Sequence, residues 1–220
     1  MSQATLAAII SIGPGRPVLR QGSMHNMKKI ILASASPRRK EILAKTGLEF
    51  SVDKSVYAED DIPGLKPARL AIFHSRGKAR EVAVKHKNAL IISADTIVVL
   101  KDVIFGKPED PDDAARMLKA LSNRTHTVIT GFTILDTGTG RELSRAVASR
   151  VTFRRLGDAE IRAYIKSGEP MDKAGAYGVQ GLGAAIVKKI DGDFFNVMGL
   201  PLSELSVQLK KFGLNVLGQR

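Results

Sequence analysis

Residues 30–43 read Ile-Ile-Leu-Ala-Ser-Ala-Ser-Pro-Arg-Arg-Lys-Glu-Ile-Leu, and this stretch sets the pattern for the chain. Ile30–Ala33 is a short apolar run of strand character. Ser36 offers a helix N-cap, and Pro37 suits the first helical position, where its missing N–H has no partner to lose. Glu41, Ile42 and Leu43 carry the helix on, and Gly47 closes it. A helix N-terminus is electropositive and favours Asp or Glu in its first turn. Arg38 and Arg39 stand there instead, each costing about 0.3–1 kcal/mol against the helix dipole. A strand, a tight Ser/Ala turn and a doubly cationic helix start fit a polyanion docked on those backbone N–H groups. Two merely solvated arginines are the plainer alternative.

Outward from this unit the signals alternate between strand and helix. Glu49–Lys54 reads as a second short strand, followed by a polar loop, Val56–Gly64, holding Glu59, Asp60 and Asp61. Pro67 opens a long helix to about His86 with Leu70, Ala71 and Phe73 inward. Ala89–Leu100 is an apolar run interrupted by Ser93, Asp95 and Thr96, and Lys101-Asp102 reads as a hairpin turn into Val103–Phe105. Asp110 caps a helix with Pro111 at its first position and acids in its first turn, and Ala114, Met117, Leu118 and Leu121 share one face. Thr127–Leu135 and Glu142–Phe153 are long strands, Asp158–Lys166 a short helix, Ala184–Ile190 a strand and Pro201–Phe212 an amphipathic helix. Mixed strands and helices without strict βαβ alternation predict an α/β or α+β sheet with an added lobe.

Composition narrows the partners. The 220 residues are long enough for one cored domain, and 34 Lys+Arg against 22 Asp+Glu give +12, pointing to an acidic ligand. The chain has no Trp, three Tyr and no interleaving of aromatic with basic residues, which poorly supports a single-strand stacking platform, and a nucleotide or phosphorylated small molecule fits at least as well. With no cysteine there is no thiol nucleophile, disulfide or thiolate metal site, which is compatible with a cytoplasmic location. His25, His74, His86 and His126 lack metal-ligand spacing. No apolar stretch is long enough to span a bilayer. Residues 1–26 carry no acid and read as a disordered, dispensable extension, leaving 27–220 as the domain.

Asp95 is the most informative single residue. A carboxylate inside Ile91–Val99 is costly unless paired, hydrogen-bonded or metal-bound, and cationic Lys107 follows across the predicted hairpin in Gly106-Lys107-Pro108. With Asp95, Glu59 could hold a hard divalent cation through oxygen ligands, as Mg²⁺ on a polyphosphate requires. Lys78 taken alone reads as a solvated lysine on a charged helix face. Asp172–Gly183 packs four glycines into its last nine residues, which allows close backbone approach to a ligand or simply a tight turn. It matches neither phosphate-loop fingerprint.

Five ordered segments together resemble the Maf family of nucleoside triphosphate pyrophosphatases. They are Ala33–Leu43, Ala94-Asp95-Thr96, Gly106-Lys107-Pro108, Asp172–Gly183 and Asp191–Pro201, and the likeness spans residues 27–212. The resemblance implies an inosine-triphosphatase-like α/β fold, a mixed twisted sheet with flanking helices and a cleft between two lobes, commonly dimeric. It implies hydrolysis of a nucleoside triphosphate to the monophosphate and pyrophosphate with Mg²⁺, Mn²⁺ or Co²⁺. Asp95 then takes the role of proton acceptor and metal-side carboxylate, Glu59 that of a second metal-side carboxylate, and Ser34, Arg39, Lys78 and Lys107 those of phosphate contacts. Arg38, Thr96 and Gln180 match the branch acting on dTTP and UTP, whereas a 7-methyl-GTP branch carries Trp, Gln and Glu there. A nucleotide-sensing regulator of cell division, acting by binding alone, is the competing expectation.

Overall fold

The computed structural model describes residues 28–60 and 62–218. The expected N-terminal extension, residues 1–26, and Asp61 of the acidic loop lie outside them. Seven strands form one mixed sheet. β1 (Lys29–Ala33) lies between β2 (Ser51–Val52) and β3 (Ala89–Leu100) and runs parallel to both. From β3 the sheet continues antiparallel through β5 (Thr125–Asp136), β6 (Glu142–Phe153) and β7 (Val187–Asp191), while β4 (Val103–Phe105) folds back on the end of β3. β1 and β3 are buried on both faces, which is why they read as continuous apolar runs rather than alternating ones.

Among the described residues, six α-helices and several 3-10 turns cover the sheet. α1 (Pro37–Ala44) and α6 (Leu202–Leu209) lie over one face, where Ile30 and Leu32 meet Ile42, Leu43, Leu205 and Leu209. α2 (Pro67–Ala83) covers the other, where Ile31 and Ala33 meet Ala79 and Val82. α3 (Pro111–Leu121) and α4 (Asp158–Lys166) close a second large core around Phe153, Leu118 and Tyr177. α5 (Phe194–Met198), capped by Asp193, is a helix that the sequence reading did not assign.

Several boundaries differ from expectation. α2 ends at Ala83, before His86, and Phe73 is 46% exposed rather than inward. The buried stripe of α2 runs instead through Leu70, Ala71, His74, Ser75, Lys78, Ala79 and Val82. Small residues in that stripe let the helix lie close on the sheet, and Phe73 falls on its flank. β2 shrinks to two residues, β7 starts only at Val187 because Gly181–Ala185 takes a 3-10 turn, and the last helix gives way to a 3-10 turn at Lys210–Phe212.

Two glycines set how closely this layer packs. A Cβ on Gly131 of β5 would stand 2.4 Å from the Ala71 backbone of α2. A Cβ on Gly77, inside α2, would stand 2.3 Å from the Tyr57 ring, so the loop bearing Glu59 rests directly on the helix. Hydroxyls then stitch the layers: Ser93 Oγ donates to the Ser75 carbonyl at 2.6 Å, and the Ser75 and Thr133 hydroxyls lie 2.8 Å apart.

Gly131→Val forces α2 off the sheet and should lower unfolding stability by about 1–3 kcal/mol, measured by urea denaturation. His126, 2% exposed, stands edge-on to Phe153 and Tyr177 and shares a 2.7 Å hydrogen bond with the Tyr177 hydroxyl. Burial pushes its pKa down to about 4. The unfolded chain therefore binds this proton first, and stability falls as pH drops from about 6.5 to about 4, by roughly 3 kcal/mol in all. His126→Gln should flatten that part of the stability–pH curve in urea titrations.

Candidate active site

The strand–turn–helix unit that opens the domain forms one wall of the main cavity. β1 ends at Ala33, and the Ser34 N–H turns back to the Leu32 carbonyl at 3.0 Å. Ser34 Oγ accepts from the Ser36 N–H, and Ser36 Oγ caps α1 by accepting from the Arg39 N–H at 3.4 Å. The first turn of α1 holds no acid, as read from the sequence, so Arg38 and Arg39 line the cavity at an uncompensated helix start.

Arg39 ties this wall to the sheet. Its Nε donates to the Gly199 carbonyl at 2.8 Å, Nη2 to Thr96 Oγ1 at 3.1 Å and Nη1 to Ser34 Oγ at 3.4 Å. Burial lowers its pKa against the raising influence of Asp95 and Glu59, yet a guanidinium stays cationic at any physiological pH. Thr96 passes the tie onward: its hydroxyl lies 3.0 Å from that of Thr130, which donates to the Asn196 carbonyl at 2.8 Å. Thr130 stands directly opposite Thr96 in the β3–β5 register.

Asp95 projects from β3 on the side covered by α2. Lys78 Nζ lies 2.7 Å from Asp95 Oδ1 and 2.7 Å from Glu59 Oε1. Asp95 and Lys78 are each 5% exposed, while Glu59 is half-exposed on its loop. Burial pushes the Asp95 carboxyl upward, but the Lys78 ammonium and the Arg39 guanidinium outweigh it and hold Asp95 below the usual carboxylate range. Lys78, expected to contact phosphate, lines the cavity with its ammonium between two carboxylates.

The opposite wall is the glycine-rich segment. Gln180 stands exposed on the rim, and Arg38 Nη1 reaches Asp172 Oδ2 at 3.4 Å across the opening. Lys107 follows β4, and the neighbouring Gly106 carbonyl accepts from the Gly175 N–H at 2.9 Å, which holds the two segments together. Ser34, Arg38, Arg39, Glu59, Lys78, Asp95, Thr96, Lys107 and Gln180 all line one cavity of about 510 Å³. That volume is of the size that takes a small organic ligand.

Among the described residues no three His, Asp or Glu side chains form a metal cage. Two carboxylates facing one cavity suit a different mode, in which Mg²⁺ keeps waters and is bound through one or two carboxylates plus phosphates of a ligand. Glu59 and Asp95 fit that donor set.

Residues with structural roles here were given none by the sequence, Asn196 being noted only within Asp191–Pro201. Thr130 and Asn196 carry the Arg39 tie, Gly131 lets α2 reach the sheet, and Glu169 lines the cavity beneath the glycine segment. Of these, only Gly131 carried a local signal: a glycine inside a strand marks close backbone approach.

A family description, "Maf-like protein", matches residues 29–212. A protein named dTTP/UTP pyrophosphatase from Methanosarcina barkeri is 48% identical over 191 residues, covering 86% of this chain and 97% of that relative. One of the same name from Moorella thermoacetica is 47% identical over 193 residues, covering 88% of this chain and all of the relative. A solved structure of a HAM1 protein from Coxiella burnetii aligns over 84% of this chain and all of its own, at 17% identity and a TM-score of 0.47, too remote to carry an argument. The resemblance of the five segments and the match over nearly the whole described chain agree: this chain belongs to the Maf family.

Proposed function

We propose that this chain is a nucleoside triphosphate pyrophosphatase that hydrolyses dTTP and UTP to the monophosphate and pyrophosphate. The observation that carries the reading is the convergence of Asp95, Lys78, Glu59, Arg39 and Lys107 on one cavity faced by Gln180. Full-length relatives that carry the dTTP/UTP pyrophosphatase name support the choice of substrate.

Each group then has a task set by its chemistry. Asp95, held ionised by Lys78 and Arg39, accepts a proton from the water that attacks the α-phosphorus, and the bond to the bridging oxygen of the pyrophosphate breaks. A carboxylate of depressed pKa is a weak base, so stabilising charge on the transferring phosphoryl group carries more of the rate than proton removal. Arg39 and Lys107 supply fixed positive charge for that purpose, and the Ser34 hydroxyl supplies a donor. Glu59 and Asp95 would hold a divalent cation, Mg²⁺, Mn²⁺ or Co²⁺, which when bound neutralises phosphate charge. Gln180 carries a donor and an acceptor in one amide and so suits the carbonyl and N3–H edge of uracil or thymine. Arg38, tied to Asp172 across the opening, braces the mouth of the cavity.

Pyrophosphate release from a panel of triphosphates with Mg²⁺ tests the reading. Release from dTTP and UTP is expected, whereas nucleotide binding with no release would point to a sensor. Asp95→Asn should lower kcat for dTTP by about 10²–10⁴-fold, and an unchanged rate would remove Asp95 from the chemistry. Arg38→Trp combined with Gln180→Glu should move activity away from dTTP, and an unaltered substrate profile would separate these residues from base selection.

A further inference from the structure

Gln180 sits on a segment with little regular structure of its own: Glu169–Asp172, Ala174–Ala176 and Gly181–Ala185 are single 3-10 turns. One carboxylate organises it. Glu169 Oε1 accepts from the Tyr164 hydroxyl at 2.9 Å and from the Gly183 N–H at 3.0 Å, and Oε2 accepts from the Leu182 N–H at 2.9 Å. The Tyr164 oxygen in turn accepts from the Gly178 N–H at 3.1 Å. Gln180 is thus bracketed by backbone anchors on both sides, and every anchor leads to the same carboxylate–phenol pair.

The space around that pair is filled. A Cβ on Gly181, whose φ is +62°, would stand 2.6 Å from Glu169 Oε2. A Cβ on Gly183 would stand 2.2 Å from the Gly178 carbonyl and 2.6 Å from the Tyr164 hydroxyl. These two glycines are what let the backbone fold onto the carboxylate. Burial pushes the Glu169 carboxyl up, but the Gly183 and Leu182 N–H groups and the Tyr164 hydroxyl bring it below the usual range, so at neutral pH it is ionised and purely an acceptor.

We infer that Glu169, braced by Tyr164, is a specificity-positioning residue that fixes the backbone from which Gln180 meets the base. The inference rests on the proposed reading of Gln180. Uracil and cytosine present donor and acceptor in different order along their edges, so whatever preference Gln180 has between them depends on its amide meeting that edge at one set place, and the held backbone sets that place. Glu169 supplies that hold through Tyr164, Leu182 and Gly183.

Steady-state pyrophosphate release from UTP, dTTP and CTP tests this with Glu169→Ala, Gln180→Ala and the double variant. Glu169→Ala should raise KM for UTP and dTTP about tenfold and change kcat less. The UTP-to-CTP ratio of kcat/KM should fall to that of Gln180→Ala, and the double variant should lose little more, because both changes remove the same interaction. Additive losses, or a ratio unchanged from the unsubstituted protein, overturn the inference. Glu169→Gln removes one carboxylate oxygen, Tyr164→Phe removes the hydroxyl that serves both Glu169 and the Gly178 N–H, and both keep the test decisive if the alanine variant fails to fold: intermediate ratios are expected, and wild-type ratios in both overturn it. Hydrogen exchange of the Leu182 and Gly183 amides gives a readout independent of activity. It should quicken in Glu169→Gln, and unchanged protection also overturns the inference. If the unsubstituted protein releases pyrophosphate from none of the three, the proposed function fails while the exchange experiment still decides whether Glu169 anchors the loop.

Discussion

A lysine ammonium buried between two carboxylates is the contact on which the rest of this site depends. Lys78 and Asp95 are almost wholly withdrawn from water and come within 2.7 Å, and Glu59 closes the set from its loop. Neither charge is tolerable alone at that depth, and stranding one member of such a pair typically costs about 3–5 kcal/mol. The pairing requires α2 to lie hard against the sheet. Gly131 faces Asp95 across the β3–β5 register and leaves the gap that the Ala71 backbone fills. Gly77 does the same on the outer side, where Tyr57 rests on the helix and brings the acidic loop over it. Two missing side chains therefore set the distance between the charges.

A second chain of contacts holds the cationic wall in register with this pair. Arg39 joins Ser34 at the end of β1, Thr96 next to Asp95, and Gly199 after α5, while Thr130 continues the line to Asn196. Segments from widely separated parts of the chain thus share one guanidinium. The glycine segment closes the cavity opposite, fastened through Gly106–Gly175 and Arg38–Asp172 and organised internally by Glu169. The cavity is a junction of two cores: the Ile42–Leu205 side carries the cationic turn, and the Leu118–Phe153 side carries the glycine-rich rim.

Much of this was legible in the residues. The cap at Ser36, Pro37 and the ill-placed arginines located the first wall, and the single acid in the apolar run of β3 marked Asp95. Arg38, Arg39, Glu59, Asp95 and Lys107 stood out in local patterns, Ser34, Lys78, Thr96 and Gln180 came from the family resemblance, and all nine line one cavity. Phe73 misled because apolar character alone puts it inside, whereas the small residues of α2 turn the helix so that it lies at the flank. Lys78 looked like a solvated cation because its helix neighbours are charged, and its partners come from β3 and the acidic loop. Glu169, Thr130 and Asn196 gave no local sign, since what they bind lies elsewhere in the chain.

The amino-acid order alone determined the elements, their approximate limits and the chemical kinds gathered here, because caps, periodicity and an isolated charge are short-range properties. Tertiary structure alone decided which charge meets which. The Lys78 clamp, the Arg39 tie and the Glu169 anchor each join groups more than a few residues apart. Their strength comes from burial and distance, and both exist only once the sheet and α2 have closed on each other.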